Sequence, residues 1–158
     1  KTFETKINSK LEVLQQVSHD NDFFENSGPF PAKQGQTTDY TVVWQFKNYY
    51  NGAKNVKIKA VLPKNISFKD QALPESEKSK ISFNNSSREI IWSVSDGALP
   101  AGTGIFSASP KIVFQVSLNA ISDNDTIIGQ AKITAEDQWT GENISASIPA
   151  ITSENIKN

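Results

Sequence analysis

The sequence predicts an all-β fold in which two antiparallel sheets pack face to face as a sandwich. Apolar and polar residues alternate with a period of two in six stretches, and residues typical of turns separate those stretches. A strand with this alternation has one solvated face and one buried face. The alternating stretches predict seven to nine strands. Two facing sheets are the most economical way to bury the apolar faces of so many strands.

The clearest alternation covers residues 39–48, and five further sets follow it along the chain. The apolar members of the six sets are Tyr40, Val42, Trp44 and Phe46; Val56, Ile58, Ala60 and Leu62; Ile90, Trp92 and Val94; Ile112, Phe114, Val116 and Leu118; Ile127, Ala131, Ile133 and Ala135; and Ile144, Ala146 and Ile148. Ile81 and Phe83 indicate a short additional strand. Residues 11–17 predict an opening strand, although Leu11, Leu14 and Val17 also fit one face of a helix.

Turn residues support this division of the chain. Asn51 and Gly52 form a dipeptide typical of tight hairpins, and Thr140 with Gly141 marks a second turn. Prolines fall at or beyond the ends of the predicted strands, where a missing N–H does least harm. Two connections, residues 19–37 and 63–80, are predicted to be long loops, and long loops are often functional.

Composition limits the class of protein. The 158 residues suit one domain over positions 1–158, and the formal net charge of −1 gives no reason to expect a nucleic acid partner. The chain has no cysteine, which excludes disulfides and zinc–thiolate sites. It has no methionine even at position 1, so we expect a segment excised from a longer, multi-domain protein. No apolar run approaches the roughly 18–20 residues that span a bilayer. Membrane insertion by this segment is therefore not expected, and any signal peptide or anchor would lie outside it.

Five segments together resemble a known family. They are NSGPFPAKQGQTTDYTVVW at 26–44, NVKIKAVLPKNIS at 55–67, IWSV at 91–94, LPAG at 99–102 and VFQVSL at 113–118. The pattern is similar to the bacterial surface repeats grouped as domain of unknown function 11, including those of candidate-phyla bacteria, and it covers about residues 28–151. The resemblance implies an immunoglobulin-like Greek-key sandwich on the extracellular cell surface. It implies no catalytic residues.

Catalytic chemistry has little support in the sequence. The single histidine, His19, lies beside Asp20 and Asp22, but no Gly-x-Ser-x-Gly elbow is present. A histidine at a strand end is usually solvated, and a triad is defined by geometry rather than by residue types. Gly102 and Gly104 are too close together to form a phosphate-binding loop. We therefore predict a non-enzymatic protein without a cofactor.

Two acidic runs have the oxygen-rich composition of calcium ligands. Asp20 and Asp22 flank one asparagine, and Asp123 and Asp125 flank another. Counting strands up and down places both runs at the same end of the sandwich, so a shared calcium site is one hypothesis. The alternative is two solvated turns, because Asp and Asn side chains cap turns with their own oxygens.

A self-formed isopeptide bond is a further hypothesis, since some bacterial surface domains of this fold contain one. It needs a lysine in apolar surroundings beside an asparagine and a carboxylate. Lys10 on the first strand and Asn143 on the last are the conceivable partners. Most lysines lie on the surface, which argues against the bond.

Aromatic residues in turns provide the candidate binding site. Tyr49 and Tyr50 precede the Asn51 hairpin, and Trp139 lies in a later turn. The strand count places both turns and residues 95–110 at one end of the sandwich, where sandwich domains commonly bind. Tyrosine and tryptophan give large contact areas at low entropic cost. The alternative is that these rings pack on loop backbone or on a neighbouring domain.

Two functions are compatible with the sequence. The first is a non-catalytic structural or adhesion module that acts as a spacer or stalk repeat, with neighbouring domains of the same chain as partners. The second is a recognition domain that binds a surface glycan or protein through Tyr49, Tyr50 and Trp139. Exposure of those three rings would favour recognition over a spacer role.

Overall fold

A computed structural model describes residues 9–94, 98–103 and 110–156. Twelve strands lie in this part of the chain: β1 (Leu11–Ser18), β2 (Thr37–Asn48), β3 (Ala53–Val61), β4 (Ile66–Leu73), β5 (Ile81–Asn84), β6 (Glu89–Ser93), β7 (Ala98–Leu99), β8 (Lys111–Asn119), β9 (Thr126–Ile128), β10 (Ala131–Asp137), β11 (Asn143–Ile148) and β12 (Ile151–Thr152). One helix, α1 (Glu75–Lys78), and one 3₁₀ turn at Ser153–Asn155 accompany them. Nine of these strands have four or more residues, and β7, β9 and β12 are shorter.

The strands form two main antiparallel sheets, which confirms the predicted fold class. The front sheet has the order β1-β2-β8-β4, and the back sheet has the order β11-β10-β3-β6-β5, with β7 paired to β3. A small third pairing joins β12 to β9. Strands β2, β3 and β4 alternate between the two sheets, as Greek-key connections require.

The core lies between the sheets and consists of the predicted alternating residues. Trp44 and Phe114 meet within the front sheet with ring centroids 4.9 Å apart, and Phe46 meets Trp92 of the back sheet at 5.7 Å. All four rings are fully buried. Burial of a large apolar side chain contributes roughly 1.5–3 kcal/mol, so each of these four rings adds substantially to the stability of the sandwich.

The opening segment is a strand, so the helical alternative for residues 11–17 is wrong. Strand β1 pairs with β2 over eight residues, from Leu11 opposite Asn48 to Ser18 opposite Thr41. Its inward positions include the buried residues Leu11 and Val17. This pairing makes β1 the edge strand of the front sheet.

Residues 63–80 are not the long loop that the sequence predicts, because they contain β4 and α1. Phe68 lies opposite Val116 and Ala72 lies opposite Phe114, so four positions of β4 face two of β8. Asp70 has a φ of 57°, within this irregular part of the ladder. The bulge disrupts the period of two, and the strand has no clear alternation as a result.

The fifth predicted set is divided into two strands rather than one. Ile127 belongs to β9 and Ala131 begins β10, with Gly129 between them. The Gly129 N–H donates to the carbonyl oxygen of Val61 at 2.9 Å, and a Cβ at Gly129 would lie 2.7 Å from that oxygen. The chain turns here because only glycine permits this approach to the backbone.

The loop from 19 to 36 covers the outer face of the front sheet. Gln115 on β8 donates its amide N–H to the carbonyl oxygen of Glu25 at 3.1 Å and to the side-chain oxygen of Asn26 at 2.8 Å. Ser27 donates its hydroxyl to the buried Asp39 carboxylate at 2.8 Å. The outer face of the front sheet is therefore covered along β2 and β8, whereas the outer face of the back sheet is exposed along β3, β10 and β11.

The negative charge of the buried Asp39 carboxylate is paired with a lysine on the same face of the front sheet. Lys69 on β4 contacts it through an Nζ to oxygen distance of 3.2 Å. Burial would raise the pKa of Asp39, but hydrogen bonds from Ser27, Ser117 and Lys69 together lower it.

In the described part of the chain, no helix is long and apolar enough to cross a membrane.

Candidate functional site

Three turns meet at the end of the sandwich where β2 finishes. We call this the aromatic end and define it by residues 49–52, 98–103 and 138–142. The Gln138 N–H donates to the carbonyl oxygen of Gly52 at 2.8 Å, and the Asn48 amide donates to the carbonyl oxygen of Leu99 at 2.9 Å. Residues 95–97 and 104–109 of the predicted loop lie outside the described residues.

The three candidate binding residues differ in their surroundings. Tyr50 is 61% exposed and Trp139 is 45% exposed, both at the aromatic end. Tyr49 is half-buried, and its hydroxyl donates to Glu12 on β1 at 2.8 Å. The bond raises the pKa of Tyr49 and lowers the pKa of Glu12. Tyr50 and Trp139 therefore provide the accessible aromatic surface, whereas Tyr49 is engaged with the first strand.

A buried carboxylate that the sequence pattern does not single out lies beneath these rings. Asp137 accepts hydrogen bonds from the Ser9 N–H at 2.7 Å and the Asn51 amide at 2.9 Å through one oxygen. Its other oxygen accepts from the N–H groups of Trp139 at 2.8 Å and Thr140 at 2.9 Å. Burial would raise the pKa of Asp137, but these four donors outweigh it and lower the pKa to about 2. The only signal in the sequence is an aspartate that begins a turn.

Ser9, the first described residue, contacts both turns. Its hydroxyl donates to the Asn48 side-chain oxygen and accepts from the N–H groups of Tyr50 at 3.0 Å and Asn51 at 3.1 Å. With its N–H on Asp137, Ser9 makes four polar contacts across three segments. The first described residue thus lies between the two turns that carry Tyr50 and Trp139.

The opposite end contains the candidate calcium ligands. We call it the Asp/Asn-rich end and define it by residues 19–36 and 120–125. Asp125 is buried and accepts from the N–H groups of Ile121 at 3.1 Å and Ser122 at 3.2 Å, and from the Asn65 amide at 3.1 Å. Both of its oxygens are therefore occupied by donors from the protein. This geometry favours the interpretation of the run at 123–125 as part of a turn that is capped by its own side-chain oxygens.

The remaining candidate ligands do not assemble around Asp125. Asp20 contacts the Nδ1 atom of His19 at 3.0 Å, and Asp22 and Asp123 are exposed. Within the described residues, no three His, Asp or Glu side chains lie close enough together to hold a metal ion. The structure thus shows two separate polar turns at this end.

His19 is packed rather than solvated, contrary to expectation. Its ring stacks on Phe30 with centroids 5.2 Å apart and lies 6.1 Å from the ring of Tyr40. The Nε2 atom is buried and has no hydrogen-bond partner among the described residues. His19 therefore forms no triad with a described serine, since Nε2 would have to accept the serine proton.

The isopeptide hypothesis lacks the required burial. The Lys10 side chain is 57% exposed and contacts Glu12 with an Nζ to oxygen distance of 3.1 Å. Asn143 is exposed on β11, opposite Glu136. Apolar surroundings, which would hold the lysine neutral, are absent at Lys10.

Polar contacts also hold the last described segment, at the Asp/Asn-rich end. The Ser153 N–H donates to the carbonyl oxygen of Asp125 at 2.8 Å, and the Ser153 hydroxyl accepts from the Asp125 N–H at 3.1 Å. Ile151 pairs with Ile128, and Ile156 is buried. The first and last described residues therefore lie at opposite ends of the sandwich.

Comparison with solved structures finds the same fold in a bacterial pilin. The full-length major pilin SpaD from Corynebacterium diphtheriae aligns with a TM-score of 0.51 and 10% identity over 90% of this chain and 35% of that chain. Domains D2 and D3 of SpaD align with a TM-score of 0.50 and 10% identity over 89% of this chain and 51% of theirs. The chain thus spans about a third to a half of these structures. It has an immunoglobulin-like fold.

At this level of identity the likeness concerns the fold alone. No protein-family model and no curated protein sequence matches the chain. The resemblance to the surface repeats of domain of unknown function 11 therefore rests on the five sequence segments that carry it.

Proposed function

We propose that the chain is a non-catalytic spacer module of a bacterial cell-surface protein and that it bears tension between neighbouring domains. The observation that carries the proposal is the placement of Ser9 and Ile156 at opposite ends of the sandwich. A chain that enters at one end and leaves at the other connects its neighbours in a line, as a stalk requires. The neighbouring domains of the same chain are the partners, and the location is extracellular.

Strands β1 and β11, the edge strands of the front and back sheets, run in the direction of that line. Strand β1 runs from the aromatic end to the Asp/Asn-rich end, and β11 runs the same way along the edge of the back sheet. Tension on the two ends of the chain pulls β1, and through β12 also β11, along their own axes. Ladder hydrogen bonds are perpendicular to the strands, so many of them must break together.

Polar contacts fix the first and last described segments to the body of the sandwich. Ser9 is tied to Asp137 and Asn48 at one end, and Ser153 is tied to Asp125 at the other. Gln15 on β1 also donates its amide to the carbonyl oxygen of Pro149 at 3.2 Å, which connects the first strand to the exit segment. These contacts support a module whose ends resist peeling.

A solved structure with this fold also supports the spacer proposal. The protein that aligns at a TM-score of 0.51 is described as a major pilin. A pilin subunit is a structural component of a surface polymer, which agrees with a spacer role for this chain. The low identity leaves that role as our proposal.

A recognition role is the second candidate, and the exposure of Tyr50 and Trp139 is the observation that favours it. Both rings lie beside the entering chain, where they are also placed to pack on a preceding domain. A glycan array compared between the parent chain and a Tyr50→Ala/Trp139→Ala variant separates the two roles. Loss of a specific glycan signal in the variant would favour recognition.

The spacer proposal is tested by the shape of tandem copies in solution. The longest strand, β2, has 12 residues and spans about 40 Å at roughly 3.4 Å per residue. Small-angle X-ray scattering of one, two and three joined copies should show a maximum dimension that grows by about 40 Å or more per copy. A dimension that hardly grows, because the copies fold back on one another, would contradict the proposal.

A further inference from the structure

One side of the sandwich contains a pocket that the spacer role does not use. Strand β4 is an edge strand of the front sheet, and β5 is an edge strand of the back sheet. The two strands lie side by side, because the ring of Phe68 on β4 meets the ring of Phe83 on β5 at a centroid distance of 6.1 Å. We call the cavity between them the edge pocket and define it by positions 67–70, 81–85 and 88.

The edge pocket is small and has one apolar wall. Its volume is about 300 Å³, at the lower end of the range for ligand pockets. Phe68, Ile81 and Phe83 form the apolar wall. Ile81 is buried, and the two rings are partly buried against the core. The pocket therefore suits a small ligand with an apolar group rather than a polymer.

The edge pocket also contains two opposite charges that are not paired with each other. Asp70 and Arg88 both line it, and Arg88 is the only arginine of the chain. Neither side chain forms an ion pair within 4 Å among the described residues. The pocket thus has one acidic and one basic group with space between them.

The guanidinium group of Arg88 is fixed in position and only partly used. Its Nη2 atom donates to the carbonyl oxygen of Pro63 at 2.8 Å and to that of Ile66. The group also lies 4.9 Å from the centroid of the Phe83 ring. The Nε atom is buried without a partner, and Nη1 donates to no described residue. A fixed cationic donor at Nη1 therefore remains for a ligand.

Both charged residues have left-handed backbone conformations. The φ angle is 57° at Asp70, in the bulge of β4, and 61° at Arg88, in the turn between β5 and β6. Such angles are uncommon outside glycine and reduce stability. Residues of this kind cluster at ligand clamps, and bulges redirect side chains next to binding sites. Two of the three non-glycine residues with positive φ in the described chain line this one pocket.

We propose that the edge pocket binds a free α-amino acid with an apolar side chain. The ammonium group of the ligand pairs with Asp70, its carboxylate accepts from Nη1 of Arg88, and its side chain packs on the apolar wall. A zwitterion satisfies both charges of the pocket, whereas a simple anion or cation leaves one of them unpaired. The hydroxyls of Ser67 and Ser82 also line the pocket and are further donors to the carboxylate.

The proposal goes beyond the spacer role and does not depend on it. The edge pocket lies between two edge strands, whereas the spacer role uses the two ends of the sandwich. Scattering measures the shape of tandem copies, and a ligand titration measures a single copy. Failure of either proposal therefore leaves the other unchanged.

Nuclear magnetic resonance titration of the isotope-labelled chain with L-leucine tests the proposal. Three compounds serve as comparisons: leucinamide lacks the carboxylate, N-acetyl-leucine lacks the ammonium group, and glycine lacks the side chain. With L-leucine we expect saturable shifts of the backbone amides at 67–70, 81–85 and 88. Each comparison compound should bind at least about tenfold more weakly, because it loses either a charge-assisted hydrogen bond or the apolar contact.

A single substitution provides the matched variant. Asp70→Asn removes the charge, and asparagine also tolerates a left-handed backbone, so the variant should melt close to the parent temperature. We expect it to bind L-leucine at least about tenfold more weakly. Asp123→Asn, at an exposed position outside the pocket, is the control and should bind as the parent does.

Four results would overturn the proposal. They are the absence of saturable binding of L-leucine by the parent chain, shifts confined to positions outside the edge pocket, binding of any comparison compound as tight as that of L-leucine, and unchanged binding by Asp70→Asn.

Discussion

The side-chain oxygen of Gln15 accepts the indole N–H of Trp44 at 2.7 Å inside the core of the sandwich. Both residues are buried, so the pair satisfies a donor that would otherwise have no water to bind. The amide of Gln15 donates in the other direction, to Pro149 in the exit segment. One polar side chain thus joins the first strand, the core and the last part of the chain.

Replacing Gln15 tests this connection. We expect Gln15→Leu to lower the free energy of unfolding by about 1–3 kcal/mol, because it leaves the Trp44 N–H buried without an acceptor. Urea denaturation measures the change. Gln16→Leu is the matched control, since Gln16 is exposed on the same strand, and it should change stability by less than about 0.5 kcal/mol. Equal effects of the two substitutions would contradict the assignment.

We expect Asp137 to make the free energy of unfolding depend on pH under acidic conditions. Its folded pKa of about 2 lies below the usual value of 3.8, so its contribution is complete above pH 4 and decreases as the pH falls towards 2. Asp137→Asn should remove that part of the pH dependence and lower stability at neutral pH by about 1–3 kcal/mol, because buried donors lose their acceptor. Denaturation curves between pH 2 and 7 measure both effects. Asp22→Asn, at an exposed position, is the control, and parallel pH profiles for parent and Asp137→Asn would refute the prediction.

For Tyr40 we expect removal of a buried polar group to maintain or increase stability, in contrast to Gln15 and Asp137. Its hydroxyl is buried and has no hydrogen-bond partner among the described residues. Tyr40→Phe should therefore leave the free energy of unfolding unchanged or raise it by up to about 1 kcal/mol, because an unpaired buried hydroxyl is removed. Thermal or urea denaturation decides the sign. A loss of more than about 1 kcal/mol would show that the hydroxyl has a partner.

We expect the loop that covers the front sheet to tolerate only glycine at position 28. Its φ is +95°, and a Cβ there would lie 2.1 Å from the carbonyl oxygen of Thr37. Gly35 is the matched control, because its φ is also positive, at +80°, but a Cβ there would contact nothing within 4 Å. Gly35→Ala should cost about 1–2 kcal/mol from backbone conformation alone, and Gly28→Ala should cost clearly more. Equal losses would show that the close approach to Thr37 contributes nothing.

The alternating pattern was enough to predict the fold class and the two ends of the sandwich. Strands β2, β3, β6 and β8 follow the predicted sets because their inward residues are uniformly apolar. The pattern failed at β4, where the bulge around Asp70 breaks the period of two. Connections in an antiparallel sandwich alternate between its ends, so counting strands placed the turns at Tyr50 and Trp139 together.

The buried polar contacts and the basic face of the back sheet could not be predicted from the sequence, for a different reason. Gln15 and Asp137 are polar residues at buried positions, and their partners lie 29 and 128 residues away, at Trp44 and Ser9. The lysines of the back sheet each occupy an ordinary outward position. Only the register that sets Lys59 opposite Lys132 shows that they form one basic face.

Single-molecule force measurement tests the tension-bearing claim most directly. The chain has no cysteine, so attachment sites can be introduced singly: one geometry pulls on the two termini, and the other on Gln130→Cys and Pro149→Cys, at the open end of the β10–β11 hairpin. Pulling through the termini loads the ladders along the strands, so many hydrogen bonds must break together, and the unfolding force should be clearly higher than that for unzipping the hairpin. An unfolding force through the termini equal to or below that of the hairpin geometry would contradict the claim.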